Sequence, residues 1–393
     1  MATLPSRPPT LLLAALAGLG EFSATAYLPA IPRMAEDFAT GAGVVQATVT
    51  AGMLTFAVAN LILGPVSDRV GRRSVLMAAL AVSLAGCALA AAAPTVAWLY
   101  PARMMTAVGA CAGLAVGRAM ARDLYDGPAL ARLMAAVTLA FSVAPVLAPL
   151  IGGVLTDAVG WRSIFVVSFL FAAVLMPFVG RFPETLTVRQ TERPVRAVLA
   201  DYPAMAVRRD IAIPLAASAL LLAALFCFLV GAPVIFLTGL GVSPSTYGSF
   251  PLFAMSGFVL GTVLSGRLAG RVTGHGLVRR GAVIAGCGAL CLCAVPVTPL
   301  WMLAALALFN TGVGIALPAA GAAVMQAFPA RAGQASALIG FVQILGGALG
   351  TGVAALWTTA PDRMVPVTMA VFAALACAAS AIPVAAEPGG DGA

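Results

Sequence analysis

The run TLLLAALAGLGEFSATAYLPAIP, residues 10–32, is apolar apart from one carboxylate, Glu21. Hydrocarbon offers an ionised carboxylate no solvation, so such a group must take up a proton or find a partner. Proton carriage is chemistry of this kind, and Glu21 is the only acid deep inside any apolar run. A hydrogen-bonded, structural glutamic acid is the alternative. Arg103, several residues inside the fourth apolar run, is the natural counter-charge, unless its long side chain snorkels to the interface. Arg118 lies only four residues before the next loop residue, Arg122, and snorkelling suits it better.

The elements that carry these groups follow from composition. The 393 residues are 61% hydrophobic and 9% charged. A water-soluble protein carries about a quarter of its residues charged, so the sequence reads as a membrane protein. Its net charge of +8 comes from 22 arginines and 14 acids, with no lysine. These arginines sit in gaps between apolar runs rather than among aromatics, which argues for topology signals and against a nucleic-acid surface.

About 20 apolar residues cross a bilayer as a helix. Twelve such runs can be marked, at 10–31, 44–66, 74–93, 96–122, 131–155 and 163–179, then 211–238, 247–264, 281–295, 299–326, 335–357 and 364–384. The first continues past the length of a signal segment and is expected to stay in the protein. Helices are preferred to barrel strands because the runs are long and uniformly apolar. With the N-terminus inside, 17 arginines fall on the inner side and only Arg33, Arg162 and Arg363 on the outer, which places both termini in the cytoplasm. The acidic tail, with Glu387 and Asp391, runs against this trend.

The long polar stretch 181–210 divides the runs six and six. The reading is an all-α membrane protein of two six-helix bundles, 1–182 and 211–386, with a linker at 183–210 and a tail at 387–393. GPVSDRVGRRSVL after run two is echoed by LSGRLAGRVTGHGLVRRG after run eight, without the aspartate. Two bundles around a midplane site are a transporter architecture. The seven cysteines all lie in apolar stretches and His275 is the single histidine, so neither a disulfide framework nor a metal site is expected. A membrane-embedded enzyme would need clustered catalytic groups, which this pattern does not supply.

Several motifs now resemble a known group. GPVSDRVGRR (64–73) looks like the loop signature of the major facilitator superfamily, RMMTAVGA (103–110) resembles its fourth-helix basic motif, and APVLAPLIGG (144–153) its fifth-helix antiporter motif. AYLPAIP, VVQATVT, ARDLY, GWRSIF and PETL together are similar to the Bcr/CflA branch of drug:proton antiporters, which includes chloramphenicol and florfenicol exporters. Four positions depart from the pattern: Thr25 stands where that branch often has an aspartate, Asn60 where it has Gln, and Ala144 and Ala148 where the motif often has Gly. Glu21 lies one helical turn before Thr25, on the same face, and EFS (21–23) resembles the first helix of MdfA-type multidrug transporters.

The resemblance implies export of small lipophilic drugs in exchange for protons by alternating access, driven by the proton gradient without a cofactor, by a monomer in the bacterial inner membrane. It implies that Glu21 and Arg103 couple the proton. Gly64, Asp68, Arg72 and Asp123 would form a gate on the cytoplasmic side, with Asp68 meeting the start of run eleven near 333–335. Pro145, Pro149, Gly152 and Gly153 would shape the fifth helix, by coupling or by packing alone. Phe22, Thr25, Tyr27, Phe141, Phe226, Phe228, Asn310 and Gln343 are the candidate cavity residues. An exporter of a natural metabolite, such as a sugar, nucleoside or amino acid, is the competing reading.

Overall fold

In the computed structural model, residues 10–186, 195–328, 331–357 and 360–382 are described. The expected tail at 387–393 and part of the expected linker, 187–194, lie outside them. Among the described residues, twelve helices are long and apolar enough to cross a membrane. The first six are α1 (Thr10–Thr25), α2 (Ala42–Val70), α3 (Arg72–Ala91), α4 (Val96–Leu124), α5 (Gly127–Ala158) and α6 (Arg162–Arg181). The second six are α7 (Arg209–Pro233), α8 (Phe250–Leu268), α9 (Gly274–Ala294), α10 (Pro299–Gln326), α11 (Ala332–Leu356) and α12 (Pro361–Ala381). Helices satisfy their own backbone groups, which an apolar environment demands.

Shorter pieces complete these spans. A 3-10 turn (Leu28–Ala30) and a short helix (Ile31–Asp37) extend α1 beyond a break. The short helix Pro244–Gly248 precedes α8, and Val195–Ala206 forms a helix within the 181–210 stretch. The ends of α7 are also uneven, since Val234–Gly239 continues it as a π-helix.

Several helices run further than the apolar runs that announce them. α2 continues to Val70, so Gly64 and Asp68 belong to its last turns and the break is confined to Gly71. There φ is +118°, a backbone that favours glycine. α9 starts at Gly274, seven residues before its apolar run, and carries Arg279 and Arg280 on exposed positions. Arginines at a span end need no interruption of the helix, because their heads reach water while the stems stay apolar.

Packing is most extensive within each set of six, as in α3 with α4, α1 with α5, α8 and α9 with α10, and α7 with α11. The sets meet mainly through α2 against α11 and α5 against the Pro244–Gly248 helix. On the arginine-poor end, Gln46 Nε2 donates to the Val230 carbonyl (2.9 Å) and Asp157 accepts from the Ser245 N–H (3.0 Å). Thr50 and Thr351 share a hydroxyl bond of 2.8 Å further along α2 and α11. Toward the arginine-rich end, Asn60 Nδ2 donates to the Ala337 carbonyl at 3.2 Å. The two sets therefore touch on both sides of the middle.

Candidate functional site

Between these contacts lies a cavity with about 80 Å³ of free space, walled by α1, α2, α4, α7 and α11. Glu21 and Thr25 face it from α1, Met53 and Phe56 from α2, Arg103 from α4 and Phe226 from α7. Glu21 is half-buried and, among the described residues, is the one acid in this wall. Among the described residues its carboxylate makes neither an ion pair nor a hydrogen bond. Thr25 instead donates its hydroxyl to the Glu21 carbonyl (2.8 Å), leaving the acid group free.

Arg103 does not snorkel. It is 5% exposed, and its guanidinium carbon sits 4.2 Å from the centre of the Tyr27 ring. Nη1 donates to the Ser23 carbonyl at 2.7 Å and lies 3.5 Å from Thr106 Oγ1. Ser23 is two residues from the end of α1, where carbonyls lose their helical donors, so Arg103 serves the break in that helix. Arg103 and Glu21 share one cavity without forming the ion pair expected between them. Arg118 is half-buried and faces the Phe141 ring at 5.9 Å.

Only part of the expected cavity set lines it. Phe226 does, whereas Phe228, two residues on and on the opposite side of α7, packs into the second set's core beside Phe236. Asn310 is buried because α10 packs on α8, where its Nδ2 donates to the Ala254 carbonyl at 2.9 Å. Gln343 is outside the wall, which its neighbour Ile344 enters instead, about 100° round the helix. Phe22 is outside the wall, buried in a cluster with Val45, Val49 and Val230, and Tyr27 lies in the α1 break beneath Arg103. Phe141 belongs to the packing around α4 and α5.

A second polar centre sits at the arginine-rich end. Arg72, its side chain 8% exposed, reaches Asp68 (2.5 Å), Asp123 (3.0 Å) and Ser67 Oγ (2.6 Å). Asp68 thus pairs with Arg72, and no hydrogen bond links it to residues 333–335 among the described residues. Gly64 lies one turn before Asp68 and supplies the carbonyl that accepts from Ser67. Glu184 of PETL, unassigned by sequence reasoning, accepts from the backbone N–H of Arg72 (2.8 Å) and Arg73 (3.2 Å). It caps the start of α3, where free N–H groups favour an anion. Thr185 adds a bond to Asp123 at 3.2 Å.

The antiporter motif lies where the two sets meet. A Cβ at Gly152 would collide with the Ala26 carbonyl of the α1 break, and one at Gly153 with the Pro244 carbonyl. The Pro149 carbonyl in turn crowds Gly248 of the short helix. Pro145 and Pro149 sit inside α5 without ending it, as prolines in apolar helices commonly do.

Residues 10–351 match the sequence profile of the Major Facilitator Superfamily. The chain is 30% identical over 342 residues to Multidrug resistance protein D of Escherichia coli, covering 86% of this chain and 85% of that one. It is 26% identical over 347 residues to a Bicyclomycin resistance protein homolog of Haemophilus influenzae, covering 86% of each. By fold it is similar to a bacterial homolog of the human lysosomal transporter Spinster in an inward-facing, unoccupied conformation, with a TM-score of 0.76 and 15% identity over 94% of this chain and 95% of that one. With twelve helices able to cross a membrane and a profile match over most of its length, the chain is a multi-pass membrane protein that belongs to the Major Facilitator Superfamily.

Proposed function

We propose that this protein exports small lipophilic drugs across the bacterial inner membrane in exchange for protons, within the Bcr/CflA branch, as a monomer with both termini in the cytoplasm. The observation that carries the reading is Glu21, an acid with no partner among the described residues, on the wall of a cavity between the two helix sets. An acid so placed exchanges its proton with whichever side the cavity opens toward. The names of the two relatives support drugs as cargo. Met53, Phe56 and Phe226 give the wall an apolar character suited to them.

The free space of about 80 Å³ is below the several hundred that a drug-sized molecule fills. Binding therefore requires the sets to part at one end, by loosening either Gln46–Val230 and Gly153–Pro244 or the Asn60–Ala337 contact. Only one end opens at a time if the cycle is to exchange rather than leak. Each inward proton supplies about 2.3 kcal/mol per 100 mV, plus the pH gradient. One deep acid suggests one proton per cycle.

The test is drug accumulation in everted membrane vesicles from cells expressing the protein. Uptake that rises on energisation and collapses with a protonophore supports the reading. Uptake indifferent to the protonophore contradicts it.

A further inference from the structure

The wall of the cavity holds a cation whose chemistry the proposed cycle does not use. Arg103 is 5% exposed, and among the described residues no acid pairs with it. Its guanidinium lies over the Tyr27 ring, 4.2 Å from the centre, and its hydrogen bonds run through Nη1, to the Ser23 carbonyl at 2.7 Å and more weakly to Thr106. Nε is buried without a partner, and no acceptor meets Nη2 among the described residues. These two nitrogens form one edge of the guanidinium, with parallel N–H groups spaced to fit the two oxygens of a carboxylate. Ser23 Oγ is also buried with no partner.

A cation away from water and without an acid is costly, and such residues in membrane spans mark ligand or ion sites. Glu21 is the obvious local candidate, yet it lines the same cavity without pairing. The surrounding wall, with Met53, Phe56 and Phe226, is apolar. Further along α4, Arg118 also has a buried Nε with no partner, so a second cation lies on the same helix.

We infer that the unpaired edge of Arg103 becomes a binding site for a carboxylate when the cavity widens, and that the preferred cargo is a lipophilic organic monoanion. The inference rests on the reading of this cavity as the substrate site, though not on proton coupling. The anion's two oxygens accept from Nε and Nη2, its apolar body lies against Phe56 and Phe226, and Nη1 keeps its bond to Ser23. A cation in the same place would face Arg103 without a compensating acid whenever Glu21 is protonated.

A matched series tests this: 2-naphthoate, 2-naphthamide and 2-naphthylmethylammonium, titrated calorimetrically into purified protein in detergent with no gradient. The expected result is naphthoate binding at least about tenfold tighter than either of the others. Arg103→Gln should shrink that preference to within about threefold, while Glu21→Gln preserves it. If Arg103→Gln loses its fold along with the Ser23 contact, the wild-type ranking decides alone. Ammonium or amide binding as tightly as naphthoate, or an Arg103→Gln protein that keeps the preference, overturns the inference. Because no gradient is present, a failure of coupling in vesicles leaves this ranking intact, and a failed ranking leaves proton-driven export of uncharged drugs standing.

Discussion

Arg72 holds Asp68 and Asp123 together at the point where α2 turns into α3. Its side chain is 8% exposed and theirs 30% and 21%, so the cluster is shielded on the cation's side more than on the acids'. Removing the cation leaves two acids facing each other, and Arg72→Ala should destabilise the protein by roughly 2–3 kcal/mol, read as a lower thermal midpoint in detergent. Arg72→Lys should recover only part of this, because an ammonium cannot reach Asp68, Asp123 and Ser67 from one plane. A lysine variant as stable as the wild type would contradict the account. The sequence motif revealed Arg72, Asp68 and Asp123, since their types and spacing match a known pattern. It could not assign Glu184, whose role comes from the three-dimensional approach of the α6 end to the first turn of α3.

Among the elements, α5 shares with α2 the packing that joins the two sets. Gly152 faces the α1 break within the first set, whereas Gly153 faces the short helix ahead of α8 in the second. Adjacent glycines thus serve different contacts. Gly152→Ala should force α1 and α5 apart and lower thermal stability by about 1–3 kcal/mol. Gly153→Ala should mainly loosen the arginine-poor end, cutting transport several-fold with a smaller stability change. The two effects are separated by measuring thermal midpoint and vesicle uptake on both variants. Identical losses in both readouts would show that the glycines act as one packing unit. All twelve spans were legible as apolar runs, because length and hydropathy suffice to mark a crossing helix. Their ends were not, as α9 shows: the apolar signal starts after Arg280 while the helix starts at Gly274.

At the scale of the whole molecule, the two sets close a small space around Glu21, and the transport reading depends on that acid meeting each side in turn. The sequence singled out Glu21 and Arg103 because charge in an apolar run is conspicuous. It could not sort Phe226 from Phe228 or Ile344 from Gln343, since cavity membership turns on helix rotation rather than residue type. Nor did it foresee that Arg103 would bond to Ser23 rather than to Glu21, a consequence of the break that frees that carbonyl. The most direct test is proton release from purified, lightly buffered protein when a transported drug is added, compared between wild type and Glu21→Gln. The account predicts release of about one proton per protein from the wild type and none from a folded, drug-binding Glu21→Gln. Equal release from both would contradict it.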